Sequence, residues 1–437
     1  MKNYKLIVPI VLIFVFAVSI YLLYDAKKTK QEEYDTYLEE ARYFRSIEID
    51  YDAELNYQQA ANIFPSMELY REIAEFYIET EQAKATIEWG NRIVEEFPED
   101  FFGYEYLMEE YYKKSEFISC FEIYDIAVKR NALSNRIKEI FADIEYEYYL
   151  TGSYENVGVF DSGVCPVSIG GLWGFASNNG GVAIPIIYTK VGYFGDERSS
   201  VVLEDDGMFY IDKNNHKRIK IVKIENPVEL GRMEGEVFSL FDGKQWNFYS
   251  FTNRSEELIF GGFDDVTGFY NGMTACLKDG KWTLSNNPGA DLTGKTFSDV
   301  IRDERGAVYV KGRVFSKMTE NYLMTDAYGN NISDLQFEDA KHFCENGEYA
   351  AVKINGKWGF INANGDIVIE PQYEDARSFS FGFAGVKIDG KWGFINTLGD
   401  VVIEPLFEDV KDFNTSGCVF VREEATWQVL HLIKFNH

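Results

Sequence analysis

The feature that most restricts the fold is a repeat. Residues 356–376 read GKWGFINANGDIVIEPQYEDA, and residues 390–410 read GKWGFINTLGDVVIEPLFEDV. Weaker copies extend towards both ends. Trp173, Met208, Trp246, Trp282, Tyr322, Trp358, Trp392 and Trp427 fall 34 to 40 residues apart and mark eight units. A unit of this length cannot bury its apolar face alone, so the units must stack on one another.

The content of a unit is β-structure. Ala351-Val352-Lys353-Ile354 is a short β-prone run, and Asn355-Gly356 follows it. A type I′ turn needs positive φ at both central positions, which makes Asn-Gly and Asp-Gly the strongest two-residue hairpin signals. Asp206-Gly207, Asp242-Gly243, Asp279-Gly280 and Asp389-Gly390 repeat that signal. The next strand, from Lys357 to Asn362, alternates its faces, so Trp358 and Phe360 share one side and Gly359 and Ile361 the other. The missing side chain at Gly359 permits close approach of a neighbouring backbone. A second turn at Asn364-Gly365 leads to a third strand, Asp366 to Glu370, which Pro371 is expected to stop. Pro185 and Pro405 hold the same place. An aromatic and two acids close the unit, as in Phe337-Glu338-Asp339, Tyr373-Glu374-Asp375 and Phe407-Glu408-Asp409. Each unit thus reads as a three-stranded meander plus a connector, with room for a short fourth strand.

These units resemble the bacterial WG-repeat family, whose signature is Lys-Trp-Gly-Phe-Ile, a Gly turn and an Ile-Glu-Pro run. The copies that start at Lys357 and Lys391 match it almost throughout, and Trp173-Gly174-Phe175 matches as well. Trp246-Asn247-Phe248 and Trp282-Thr283-Leu284 depart at the glycine. The resemblance spans residues 151–437 and speaks to fold more than to function, because the family is defined by repeats and not by a reaction. Meanders of this size suit radial stacking, so the expected architecture is an all-β array closed as a 7- or 8-bladed β-propeller. Closure leaves only short edges exposed. An open β-solenoid is the alternative.

Residues 35–150 read differently. Gly and Pro are sparse, and apolar residues recur at three and four, as in Tyr70, Ile73, Ala74, Tyr77 and Ile78, which is helical spacing. Breaks come at Phe64-Pro65, Phe97-Pro98 and Asn131-Ala132, about 33 residues apart. Ala53, Tyr57, Ala60 and Pro65 resemble the second helix of a tetratricopeptide repeat. Trp89-Gly90 with Ile93, and the stretch around Tyr124 and Ala127, fit that pattern only in part. A plain helical bundle is the other reading.

Ahead of these, Leu6 to Tyr24 form nineteen residues without a charge, LIVPIVLIFVFAVSIYLLY. That length suggests a single transmembrane signal-anchor over 6–24, between a short tail at 1–5 and a linker at 25–34. Lys2 and Lys5 on one flank nearly balance Lys27, Lys28 and Lys30 on the other. A short leading tail favours the cytoplasmic side. The expectation is a single-pass protein of the cell membrane with its repeats extracytoplasmic.

The formal net charge of -28 argues against nucleic acid as a partner, since phosphate binding needs clustered Lys and Arg. Residues 31–150 hold 29 Asp and Glu against 11 Lys and Arg. Solvated helix faces explain that excess, and a docking surface for a basic partner is the sharper reading. Cys120, Cys165, Cys276, Cys344 and Cys418 are odd in number and form no CxxC, so neither a disulfide framework nor a zinc site is suggested.

The sequence holds no HExxH, no G-x-S-x-G elbow and no phosphate-binding loop. The paired acids Glu370 and Glu374-Asp375 recur with the fold period, whereas catalysis needs one asymmetric site, so they read as turn-capping acids. Divalent cation binding is their other use. The repeating Trp reads as core and not as a stacking platform for sugars. We therefore expect no catalytic, cofactor-binding or metal residues, no cofactor and no enzymatic activity. The expected function is a membrane-anchored interaction scaffold that binds protein partners through both repeat regions. A surface protein that binds carbohydrate or cell-wall glycan is one alternative, and a propeller hydrolase is another.

Overall fold

A computed structural model describes residues 4–435 except 196–199, 205–206, 222–227, 253–254, 287–290 and 292. The chain divides into two units, Met1–Glu145 (with His437) and Tyr146–Asn436.

Among the described residues the first unit has seven helices: α1 Tyr4–Ser46, α2 Asp50–Ile63, α3 Met67–Glu79, α4 Ala83–Glu96, α5 Phe102–Lys113, α6 Phe117–Lys129 and α7 Asn135–Ile144. The ends at Ile63, Glu96 and Lys129 fall at the breaks legible in the sequence. The ends at Ser46, Glu79 and Lys113 carry no Gly or Pro signal. Here Glu48, Glu81 and Ser115 take positive φ at 58°, 53° and 58°. Each is followed by an amide that bonds five residues back, as in Ile49 N to Phe44 O at 3.0 Å and Gln82 N to Tyr77 O at 3.1 Å. This is a Schellman ending built without its usual glycine. Tyrosines fill the core: Tyr57, Tyr70 and Tyr77 are buried. Their hydroxyls bond Glu72 at 2.9 Å, Glu96 at 2.6 Å and Trp89 Nε1 at 2.9 Å.

The apolar run 6–24 lies within α1, and the expected membrane-spanning helix is overturned. Among the described residues no helix is long and apolar enough to cross a membrane. The side chains of 1–13 lie outside the described residues. The same helix then continues through Asp25, Lys27, Lys28, Lys30 and Glu32. The linker at 25–34 is helical, and the single-pass placement at the cell membrane, with repeats outside it, is withdrawn with the span.

The second unit is an eight-bladed β-propeller, which settles the choice between seven and eight blades and against an open solenoid. Its sheets cover 156–188, 190–221, 229–263, 265–286, 299–325, 339–373, 375–407 and 409–432, numbered here blades 1 to 8. Blades 4 and 5 have three regular strands among the described residues and the others four. The fourth strand of blade 8 is Tyr148–Tyr154, paired antiparallel with Thr426–Leu432. This strand closes the ring, and it looks nothing like the repeat. Trp282, Trp358, Trp392 and Trp427 are buried, Trp173 and Trp246 half-buried. Trp358 packs with Tyr373, Phe379 and Val386 of its own and the next blade, so the repeating tryptophan is core between blades.

Proline plays a different part from the one expected. Pro371, Pro405 and Pro185 lie inside the outermost strands Ile367–Tyr373, Val401–Phe407 and Val182–Tyr188. Trp358 pairs with Tyr373 and Phe360 with Ile369, so the outer strand spends four residues where its neighbour spends two. The bulge presses on the glycine of the motif. A Cβ at Gly359 would lie 2.6 Å from Ile369 O and 2.7 Å from Pro371 N. Gly393 meets Ile403 O and Pro405 N at 2.5 and 2.7 Å, and Gly174 meets the backbone of Ile184 and Pro185 at 2.6 Å each. Proline is tolerated because an outermost strand need not donate outward. Blade 3 solves the same problem in reverse. Asn247 stands where the glycine would be, and the small residue is Gly261 opposite, whose Cβ would lie 2.0 Å from Asn247 Oδ1.

Candidate functional site

Five blades open on a two-residue strand whose first residue is Asp: Asp265, Asp299, Asp339, Asp375 and Asp409. Each carboxylate accepts the N–H of the next residue at 2.8–2.9 Å. The preceding acids accept turn amides, Glu338 from Gly356 at 3.0 Å and Glu374 from Gly390 at 3.1 Å. The recurring acid pairs thus hold strand and turn geometry.

The residues that follow these opening strands meet at the ring axis. They enclose a cavity of about 700 Å³ to which all eight blades contribute. Its charges are joined across blades. Arg232 of blade 3 is 4% exposed. Its Nε donates to Asp161 of blade 1 at 2.7 Å and its Nη1 to Glu234 at 2.6 Å. It also donates to the carbonyls of Gly195 in blade 2 and Phe269 in blade 4. Its guanidinium lies 4.5 Å from the ring centre of Tyr270, and that of Arg305 lies 4.9 Å from it. One arginine thereby ties four blades.

A second clasp is centred on Glu304 of blade 5. It accepts from Arg377 of blade 7 at 3.0 Å and from Lys411 of blade 8 at 2.5 Å. Arg377 also holds Asp412 at 2.6 Å. Glu304 reaches the axis on a long connector, residues 301–313, where blade 7 uses only 377–382. Asp303 folds this connector by accepting the amides of Arg305 and Ala307 at 2.9 and 2.8 Å. The connector is an axial plug. His342 sits beside it, where burial pushes the imidazole down to about 4, so the ring is neutral at pH 7. Its Nε2 donates to Ile301 O at 2.9 Å.

The asymmetric cluster of carboxylates that a propeller hydrolase would need is therefore present at the axis, but Asp161, Glu234, Asp303, Glu304 and Asp412 are each paired with a cation. Another pair of reactive type, Cys418 Sγ and His431 Nδ1 at 3.3 Å, is buried inside the closing blade. Among the described residues no group of His, Cys, Asp and Glu is arranged to hold a metal ion.

The features that the repeats share do not mark this axis. Its residues stand where the repeats differ: Lys341-His342, Arg377-Ser378, Lys411-Asp412 and Ile301-Arg302 occupy equivalent places after Asp-Ala or Asp-Val. The plug had a signal too, since Trp282 to Tyr322 is the longest spacing, 40 residues. Insertions in a repeat map to loops on one face.

The Glu304 clasp has a pH signature. Burial raises its carboxyl pKa, but Arg377 and Lys411 outweigh that and hold it below the ordinary value. Its stabilising contribution is therefore full above the unfolded pKa of about 4.3 and lost as pH falls through the lower folded value. Burial holds Asp161 above its ordinary value despite Arg232, and its contribution has the opposite sign. In Glu304→Gln the first contribution is absent. The variant is expected to melt below the parent chain at pH 7, with the gap narrowing steadily towards pH ~3. Thermal melts across that range check it.

The helical unit has an open groove of its own, lined by Arg42, Arg45, Arg71, Glu68, Glu72 and Glu75 among others. Arg42 holds Glu72 through two bonds of 2.8 and 2.7 Å, and Arg45 holds Glu79 at 2.6 Å.

The family model described as WG containing repeat matches residues 173–205, 249–282, 329–358, 358–392 and 392–427. The tetratricopeptide resemblance of the helical unit has no counterpart in that match. No curated protein sequence matches the chain. Among solved structures, the chain is similar to the WD40 domain of SCAP from fission yeast, at 8% identity and TM-score 0.40, over 65% of this chain and 97% of that one. It is also similar to Kluyveromyces lactis Hsv2, at 10% identity and TM-score 0.36, over 57% and 93%. Likenesses this distant say nothing of what the chain binds.

Proposed function

We propose that this chain, which belongs to the WG-repeat family, is a non-enzymatic protein-interaction scaffold whose ring docks partners on its outer wall. WG repeats on a propeller suggest such a scaffold in general terms. The observation that favours the outer wall is a recurrence of exposed apolar side chains. Val182, Ile367 and Val401 open the outermost strands of blades 1, 6 and 7, and all three are exposed. Ile187 and Leu406 recur near the ends of two of them, Leu406 at 59% exposure. Leu398, at the tip of a hairpin, is 82% exposed. Isolated surface leucines need no explanation, but apolar side chains repeated at one register of the outermost strands of three blades mark the rim as an association surface.

In this reading the axis does no chemistry, because Asp161, Glu234, Asp303, Glu304 and Asp412 are held by arginine and lysine and lack the freedom of a general acid or base. The wall offers side chains more readily than main chain, since Pro185, Pro371 and Pro405 blunt its edges. A photo-crosslinking residue at Leu406, activated in the cells that make the protein, is expected to yield discrete heavier adducts. Their absence would remove the reading.

A further inference from the structure

The outermost strand of blade 2, Lys217–Ile221, differs from those of blades 1, 6 and 7. It ends its sheet, and among the described residues it pairs only with Gly207–Ile211. It contains no proline, so the main chain along its outer edge keeps its capacity for hydrogen bonds. It is also basic within an acidic chain. Residues 213–223 hold five Lys and Arg and no Asp or Glu, against a net charge of -28 overall. His216, Lys217, Arg218 and Lys220 are exposed. Lys217 pairs with Glu204 and Arg218 with Asp212. The two cations are exposed while their carboxylates are half-buried, so Lys217 and Arg218 keep solvent-facing donors that an incoming carboxylate can meet.

An unblocked edge and a basic run point to the same occupant. An edge accepts an extended segment by main-chain bonding, and the flanking side chains choose which segment. Cations here repel another basic strand and favour an acidic one. We propose that this edge takes an extended acidic segment of a partner protein as an added strand, with carboxylates meeting Lys217, Arg218 and Lys220. The site is separate from the apolar wall and stands whether or not that wall binds anything.

The test uses the full chain and a labelled synthetic peptide of alternating Glu and Val, with binding read by fluorescence anisotropy at low and physiological salt. Three changes are expected to weaken binding about tenfold or more: Lys in place of Glu in the peptide, N-methylation of its alternate amides, and the K217E/R218E/K220E variant. Equal binding of the N-methylated peptide would overturn strand addition and leave a plain electrostatic patch. No binding at low salt would show that the cations only guard the edge. Undiminished binding by the charge-reversed chain would place the peptide elsewhere. The two peptide controls use the unaltered chain, so the outcome does not depend on whether the variant folds.

Discussion

Replacing Gly359 with Val is expected to cost the ring about 3 kcal/mol or more, whereas Gly356→Ala, three residues away, costs about 1 kcal/mol. The two glycines are needed for different reasons. Gly356 has φ +76° and nothing within 4 Å of an added Cβ, so a substitution there strains only its own backbone. Gly359 has no positive φ but no space. Its Cβ would meet Ile369 O, Pro371 N and Pro371 Cα at 2.6, 2.7 and 2.8 Å, and these are backbone atoms that no rotamer change can move. The outer strand must peel away or the inner hairpin must shift, and Trp358 sits on that hairpin. Denaturant midpoints read by tryptophan fluorescence suit the comparison, because six of the 7 Trp lie in the ring. Equal losses for the two substitutions would refute the bulge as the reason for the glycine.

The second large effect is expected at the axis. Arg232→Met removes the cation from Asp161 and leaves the carbonyls of Gly195 and Phe269 without their donor. Removing one partner of a buried pair costs about 3–5 kcal/mol, mostly because the other charge stays behind unpaired. The double variant with Asp161→Asn should recover a large part of that loss. A double-variant cycle in denaturant measures the coupling, and simple additivity would mean that the pair does not hold the blades. Since this arginine reaches blades 1, 2 and 4 from blade 3, hydrogen exchange should rise in all four blades and not in blade 3 alone.

The ring was legible because its constraints are local and repeated. Asn355-Gly356 and its relatives mark hairpins, Trp358 and Phe360 mark a buried face, and eight such units must stack. What stayed hidden depends on contacts between distant positions. Pro371 reads as a strand end because it lacks an N–H, yet an outermost strand has no use for that N–H outward, so the proline survives inside a bulge. Tyr148–Tyr154 closes the ring by pairing with Thr426–Leu432 and shares no motif with the strands it imitates. Arg232, Glu304 and Arg377 are invisible to a search for sameness, since an axis gathers one different residue from each blade. The apolar run at 6–24 satisfies a length rule for spanning helices, yet among the described residues no helix is long and apolar enough to cross a membrane.

The most direct test of the account compares two positions of one crosslinker. Leu406 stands on the outer wall, and Asn346 lines the axial cavity. If the wall docks partners and the axis is an internally neutralised clasp, activation in cells gives discrete protein adducts from Leu406 and none from Asn346. Adducts from Asn346 with silence at Leu406 would contradict this and make the axial cavity, plug included, the place where the protein does its work.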